Sequence, residues 1–113
     1  MILYNTTFCL DHSIRDEFVR YITDTVIPAT ICGGMYGHIL GAIRADDERN
    51  GITGDNTVSY AFQMRAPSQE VLDAVISSIL SPIWNRLAAR WPAKVAMFDT
   101  AIDIIHSQND PVK

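Results

Sequence analysis

The middle of the chain constrains its fold most. Residues 36–44 and 57–64 each alternate with period two, and the polar segment between them carries no helical stripe. In the later stretch Val58, Tyr60, Phe62 and Met64 alternate strictly with Thr57, Ser59, Ala61 and Gln63. The connection, residues 46–56, contains Asn50-Gly51 and Gly54, both turn signals. Two strands joined this way form an antiparallel hairpin, and the rest of the fold is built outward from it.

Each side of the hairpin repeats one pattern, a striped helix leading to or from a strand. Residues 2–9 are β-branched and aromatic, with Ile2, Tyr4, Thr6 and Phe8 on one face and Leu3, Asn5, Thr7 and Cys9 on the other. Asp11 and Ser13 then offer capping oxygens, and Asp16 and Glu17 sit near the positive end of the following helix. Ile14, Phe18, Tyr21, Ile22, Thr25 and Val26 form its stripe, and Pro28 is expected to end it. After the hairpin, Ser68 is the expected N-cap of a second helix. Its stripe runs from Val71 and Leu72 through Ile79 and Ile83 to Leu87 and Trp91. Pro82 interrupts this run without shifting its phase, which predicts one kinked helix, or two short coaxial ones with Ser81 capping the second. Trp84 and Trp91 share the stripe and read as core or interface anchors. Residues 95–105 alternate again as a last strand.

The order β, α, β, β, α, β is the split βαβ arrangement. It predicts an α+β, ferredoxin-like domain, a four-stranded antiparallel sheet with both helices on one face. At 113 residues the chain has room for one domain, residues 1–106, followed by a flexible polar tail over 107–113.

Several function classes fall away on composition. A net charge of −4 with only two lysines does not suit a phosphate-neutralising surface. RNA-recognition domains share this element order, and Tyr4 and Tyr60 lie on strands that would carry their stacking aromatics. Residues 55–62 nevertheless lack a basic, glycine-rich start, so no nucleic-acid partner is expected. No apolar run approaches the ~20 residues that span a bilayer. The N-terminus has no basic region before its apolar residues, so a cytoplasmic chain without a membrane partner is expected. Cys9 and Cys32 are too few for a disulfide framework and are expected to be small buried thiols. His12, His38 and His106 fall on separate elements with no ligand spacing, so neither a metal nor a cofactor is expected. His12 with Ser13 and Asp16 reads as helix capping. Gly33-Gly34 opens a strand, where no helix N-terminus follows to receive an anion.

One face of the sheet is left without a helix. With Tyr4, Phe8, Tyr60, Phe62, Phe98 and Ile102 turned to the helices, the other face carries Asn5, Thr7, Ser59, Gln63, Asp99 and Asp103. Leu3, Ala61, Met97 and Ile105 are mixed among them. The second strand adds either Tyr36, His38 and Arg44 or its glycine–isoleucine set. A face so mixed suits burial against a second copy of itself, enclosing a lumen in which a small molecule could sit. The candidate ligand-binding residues are Asn5, Thr7, Tyr36, His38, Gln63 and Asp99. An enzyme would draw its base and anchor from His38, Asn5 or Asp99, and needs His38 and Asp99 to converge in that lumen.

Three segments carry a resemblance: Met1-Ile2-Leu3-Tyr4-Asn5-Thr6-Thr7, Ser59-Tyr60-Ala61-Phe62-Gln63 and Phe98-Asp99-Thr100. They resemble an uncharacterised family of short bacterial proteins known as a domain of unknown function. That family is similar to the dimeric α/β-barrel group, which includes cofactor-free monooxygenases, haem-degrading enzymes, lactone isomerases and ligand-sensing modules. The resemblance implies the fold and a homodimer through the open sheet face, and it assigns no catalytic residue. Three functions follow as expectations. The first is a homodimer that holds a small molecule between its sheets. The second is a cofactor-free monooxygenase or isomerase, and the third is a protein-interaction domain.

Overall fold

The computed structural model describes residues 1–44 and 57–106. Strand β1 (Ile2–Asp11) occupies the interior of the sheet, paired antiparallel with β3 (Thr57–Ala66) on one side and β4 (Val95–Asp103) on the other. Strand β2 (Tyr36–Ala42) pairs with the far side of β3, giving the order β2-β3-β1-β4. Helices α1 (15–32) and α2 (69–90) both pack on one face, so the chain has the expected ferredoxin-like architecture. The connecting segment 46–56 and the tail 107–113 lie outside the described residues.

The even residues of β1 and β3 supply the floor of the core. Phe8, Leu10, Phe62 and Met64 are fully buried there, and Phe18, Ile22, Leu72, Leu80 and Leu87 close it from the helices. Phe8 sits at the centre, edge-on to the Phe18 ring at 4.8 Å and to the Trp84 ring at 5.4 Å. Asp11 accepts from the Ser13 N–H at 2.9 Å and caps a single 3₁₀ turn, His12–Ile14, before α1. These hydrogen bonds from Ser13 hold the Asp11 carboxyl below the usual carboxylate range. Ser68 caps α2 by accepting from the Val71 N–H at 3.2 Å.

Neither proline ends its helix. Each helix widens into one π turn, Ile22–Val26 in α1 and Ile76–Leu80 in α2, and Pro28 and Pro82 each come two residues after it. A proline lacks an N–H and clashes with the carbonyl four residues back; the wider turn displaces that carbonyl, and the helix continues. Helix α1 therefore runs to Cys32, beyond its expected end at Pro28. Helix α2 is continuous, and Ser81 is an ordinary helical residue, not a cap. The end of α1 packs tightly on α2 at Gly33, where an added Cβ would lie 2.8 Å from Ile79 Cδ1 and 2.9 Å from Val75 Cγ2.

The phase of β4 is the reverse of the expected one. Leu3 pairs with Ile102 and Thr7 with Phe98, so Phe98 and Ile102 stand on the open face. Met97, Asp99 and Asp103 turn to the helix side. The more apolar set of β4 thus points away from the core, because pairing to β1 fixes parity and the helices do not cover most of this edge strand. The thiols also differ from expectation. Cys9 stands on the open face by its odd position in β1, Cys32 ends α1 off its stripe, and both are free and exposed.

Candidate functional site

The open face is a grid whose rows are set by strand register. Across the sheet from β2 to β4, one row reads Ile39, Gln63, Asn5, Thr100 and the next Gly41, Ala61, Thr7, Phe98. A row at one end holds Tyr36, Arg65, Leu3 and Ile102. The amides and Arg65 therefore lie on the two inner strands, with Leu3 among them, and the exposed large apolar side chains stand on the edge strands beside Thr100. Ile39 is 60% exposed and Phe98 67%, with Ile43, Ile102 and Tyr36 also exposed. Asn5 Nδ2 donates to Thr7 Oγ1 at 3.2 Å. Gln63 makes no side-chain hydrogen bond among the described residues. The two middle rows contain amides and a hydroxyl pair but no ionisable side chain.

Strand β2 divides its residues between the faces in a way neither expected register allows. Tyr36 pairs with Arg65 and Ile39 with Gln63, leaving Gly37 and His38 together opposite Met64. This is a β-bulge, and Gly37 supplies the left-handed residue it needs, at φ +67°. The extra residue shifts parity, so Tyr36, Ile39 and Gly41 face outward while His38 and Leu40 turn to the helices.

Four of the six candidate ligand residues, Asn5, Thr7, Tyr36 and Gln63, share the open face; His38 and Asp99 do not. His38 Nε2 lies 2.7 Å from Thr30 Oγ1 on α1, and its ring is 6.1 Å from that of Phe62. Thr30 Oγ1 also lies 3.0 Å from the Ile27 carbonyl, so one hydroxyl links the His38 ring to the backbone of α1. Burial holds His38 below its ordinary pKa and favours the neutral ring. Asp99 accepts from the Tyr4 phenol on the same helix-facing side. His38 and Asp99 occupy opposite edge strands, three strand spacings or roughly 14 Å apart. The acid–base pair required by the enzyme expectation does not form.

Asp99 instead joins a polar cluster that strand patterning did not reveal. Tyr4 is buried, and burial first, then the Asp99 carboxylate, pushes its phenol pKa up. Thr6 and Trp84 lie beside the phenol, and Thr6 Oγ1 and Trp84 Nε1 are buried without a hydrogen-bond partner among the described residues. The pairing of Thr6 with Asp99 across β1 and β4 is the register that builds the cluster. No three histidine, cysteine or carboxylate side chains converge on a metal-sized space among the described residues. No described helix is long and apolar enough to cross a membrane.

The decisive comparison is with protein families, where one model matches residues 1–105. The chain belongs to DUF4286, a domain of unknown function. This DUF4286 chain matches no curated protein. Its solved structural neighbours include a dimeric ferredoxin-like protein from an uncultured marine organism. That protein is 9% identical with a TM-score of 0.62, over 95% of this chain and 97% of the other. A second dimeric ferredoxin-like protein, also from an uncultured marine organism, is 5% identical with a TM-score of 0.63, over 95% and 99%. A third neighbour is SnoaB, a cofactor-independent oxygenase from Streptomyces nogalater, 13% identical with a TM-score of 0.60, over 96% and 98%. At these identities the likeness shows the fold, and function must be argued from the site.

Proposed function

We propose that this DUF4286 chain is a homodimer stacked through its open sheet faces, and that a neutral, hydrogen-bonding small molecule binds between the sheets. One observation carries the reading, the separation of apolar edge strands from polar inner strands on a face that no described element covers. A two-fold axis parallel to the strands lays β4 of one protomer over β2 of its partner. Phe98 then lies over the partner's β2 between Ile39 and Ile43, Ile102 meets the partner's Tyr36, and the inner rows face one another across a gap. The groups lining that gap are Asn5, Thr7 and Gln63, which hydrogen-bond without carrying charge. The dimeric ferredoxin-like neighbours support self-association. Exposed free thiols at Cys9 and Cys32 support a reducing, cytoplasmic setting.

Light scattering coupled to size exclusion tests the assembly, with mass spectrometry of small molecules released on denaturing the purified protein. The expected result is a dimer that releases one compound in near-stoichiometric amount from the natural chain and much less from Gln63→Leu. A monomer throughout the micromolar range refutes the dimer. A dimer that releases nothing, and whose melting no neutral polar compound shifts, refutes the ligand.

A further inference from the structure

The helix layer, on the side away from the open face, holds a cleft between α1 and α2. It measures about 440 Å³ and is lined by Tyr21, Thr25, Arg86, Leu87 and Arg90. An adjoining hollow of about 230 Å³ shares Tyr21, Thr25 and Arg90 and adds Glu17, Arg20 and Asp24. Four-residue spacing puts Tyr21 and Thr25 one turn apart on one wall, and Arg86 and Arg90 one turn apart on the other. Two hydroxyls thus face two guanidinium groups above a buried leucine.

The charges across this cleft do not cancel. Glu17 is already used, its carboxylate 3.3 Å from Arg90 Nη2, and Asp24 lies in the adjoining hollow with Arg20. Arg86 has no hydrogen bond or ion pair among the described residues. Arg90 is held in place, its guanidinium 4.9 Å above the Trp91 ring, and that ring meets Tyr21 edge-on at 6.2 Å. The protein as a whole carries −4, so an uncompensated cation beside an immobilised one is a local reversal of sign. Guanidinium groups receive carboxylate and phosphoryl oxygens through paired hydrogen bonds, and such bonds are the strong ones.

We propose that the cleft between the helices binds a small ligand with one anionic group, carboxylate or phosphoryl, held by Arg86 and Arg90. Tyr21 and Thr25 supply further hydrogen bonds from the opposite wall. The apolar remainder of the ligand lies over Leu87, beside the aromatic pair of Tyr21 and Trp91. The site is on the opposite layer from the dimer face and does not depend on it.

Titration of the full chain at constant ionic strength tests this, followed by the side-chain Nε–Hε signals of the arginines in nuclear magnetic resonance. The probes are phenyl phosphate, benzoate, inorganic phosphate and sodium chloride. Saturable shifts at Arg86 and Arg90 with phenyl phosphate or benzoate, absent with chloride, are expected. The stronger of the two names the anionic group, and weaker binding of inorganic phosphate confirms the apolar floor. Arg86→Gln should weaken the preferred probe about tenfold, the scale of one lost charge-assisted contact. Arg15→Gln, whose arginine pairs with Asp16 outside the cleft, should leave binding unchanged. Arg86 is exposed, so its loss leaves the core intact. The proposal is overturned if the shifts do not saturate, if chloride reproduces them, or if Arg86→Gln binds as well as the natural chain. It is equally overturned if the probes move the Asn5 and Gln63 amides in place of the arginines.

Discussion

Phe98→Glu is the sharpest test of the stacked dimer. Phe98 is 67% exposed in the single chain and stands outside the core cluster. A phenylalanine carries roughly 200 Å² of side-chain surface, so about 130 Å² per copy would leave water on stacking. At about 25 cal/mol per Å² this is about 3 kcal/mol, doubled by two-fold symmetry to about 6. Ordering of side chains and imperfect burial absorb part of the gain on association, so about 3 kcal/mol is a conservative figure for the pair. That figure corresponds to more than a hundredfold rise in the dimer Kd, and a glutamate placed in the interface raises it further. Sedimentation velocity over a concentration series measures the shift. Circular dichroism melting at a concentration where both chains are monomeric supplies the control, because an exposed residue outside the core should leave the protomer's Tm nearly unchanged. If Phe98→Glu self-associates as tightly as the natural chain, stacking through this face is refuted. If the monomer itself melts much earlier, Phe98 packs within the protomer and is not an interface residue.

Three further outcomes follow from the fold. Gly33→Ala should cost about 1–3 kcal/mol in urea unfolding, as expected of overpacking at a tight contact. The backbone there is unstrained, at φ −81°, so the loss comes from contact with Ile79 and Val75, and adding Ile79→Val, which removes Cδ1, should recover part of it. Stability should fall as pH drops below about 6.5, because the unfolded chain then takes up a proton that half-buried His38 resists, and should level off above that value. His38→Gln should flatten this part of the profile measured by urea midpoints. Tyr4→Phe should lose about 1–2 kcal/mol, toward the lower end because Asp99 is exposed and its carboxylate rehydrates; no loss would mean that the bond to Asp99 contributes nothing net.

Element order and both helix caps were legible from local chemistry. A period change of two to three-and-a-half needs no knowledge of tertiary contacts, and Asp11 and Ser68 act on N–H groups only two or three residues away. The misreadings share a different cause. Pro28 looked terminal because a proline ends an ideal α-helix, whereas a π turn just before it relieves the clash and depends on how the whole helix packs. His38 changed faces because one extra residue at Gly37 inverts parity, and alternation alone does not locate a bulge. For β4 the stronger apolar set was assigned to the core, which is sound only where the core is the one dry surface available. Arg86 and Arg90 carried a signal in their spacing, yet nothing local announces that Tyr21 and Thr25 stand opposite them.

The inverted phase of β4 also bears on which partner covers the open face. Exposed aliphatic and aromatic side chains on edge strands invite unwanted association, and a chain that kept them solvated would gain nothing from them. Here they occur on both edges, Ile39 and Ile43 on the β2 side and Phe98 and Ile102 on the β4 side, separated by the polar inner strands. A partner of different sequence would have to offer two apolar ridges at the same separation with a polar strip between. A second copy of this chain offers that arrangement under a two-fold axis, each ridge meeting the opposite ridge. With β4 over the partner's β2, the same axis lays β1 over the partner's β3 and sets Asn5 across from the partner's Gln63. Those groups then need either direct pairing, water or a bound molecule, since amides withdrawn from solvent are costly without partners. The proposed self-association and the proposed ligand binding are therefore linked on this face. Replacing Asn5 and Gln63 together by leucine should tighten the dimer, measured as a lower Kd in sedimentation, while abolishing uptake of any neutral polar compound. A weaker dimer from that double variant would show that these amides pair directly across the interface and leave no room for a guest.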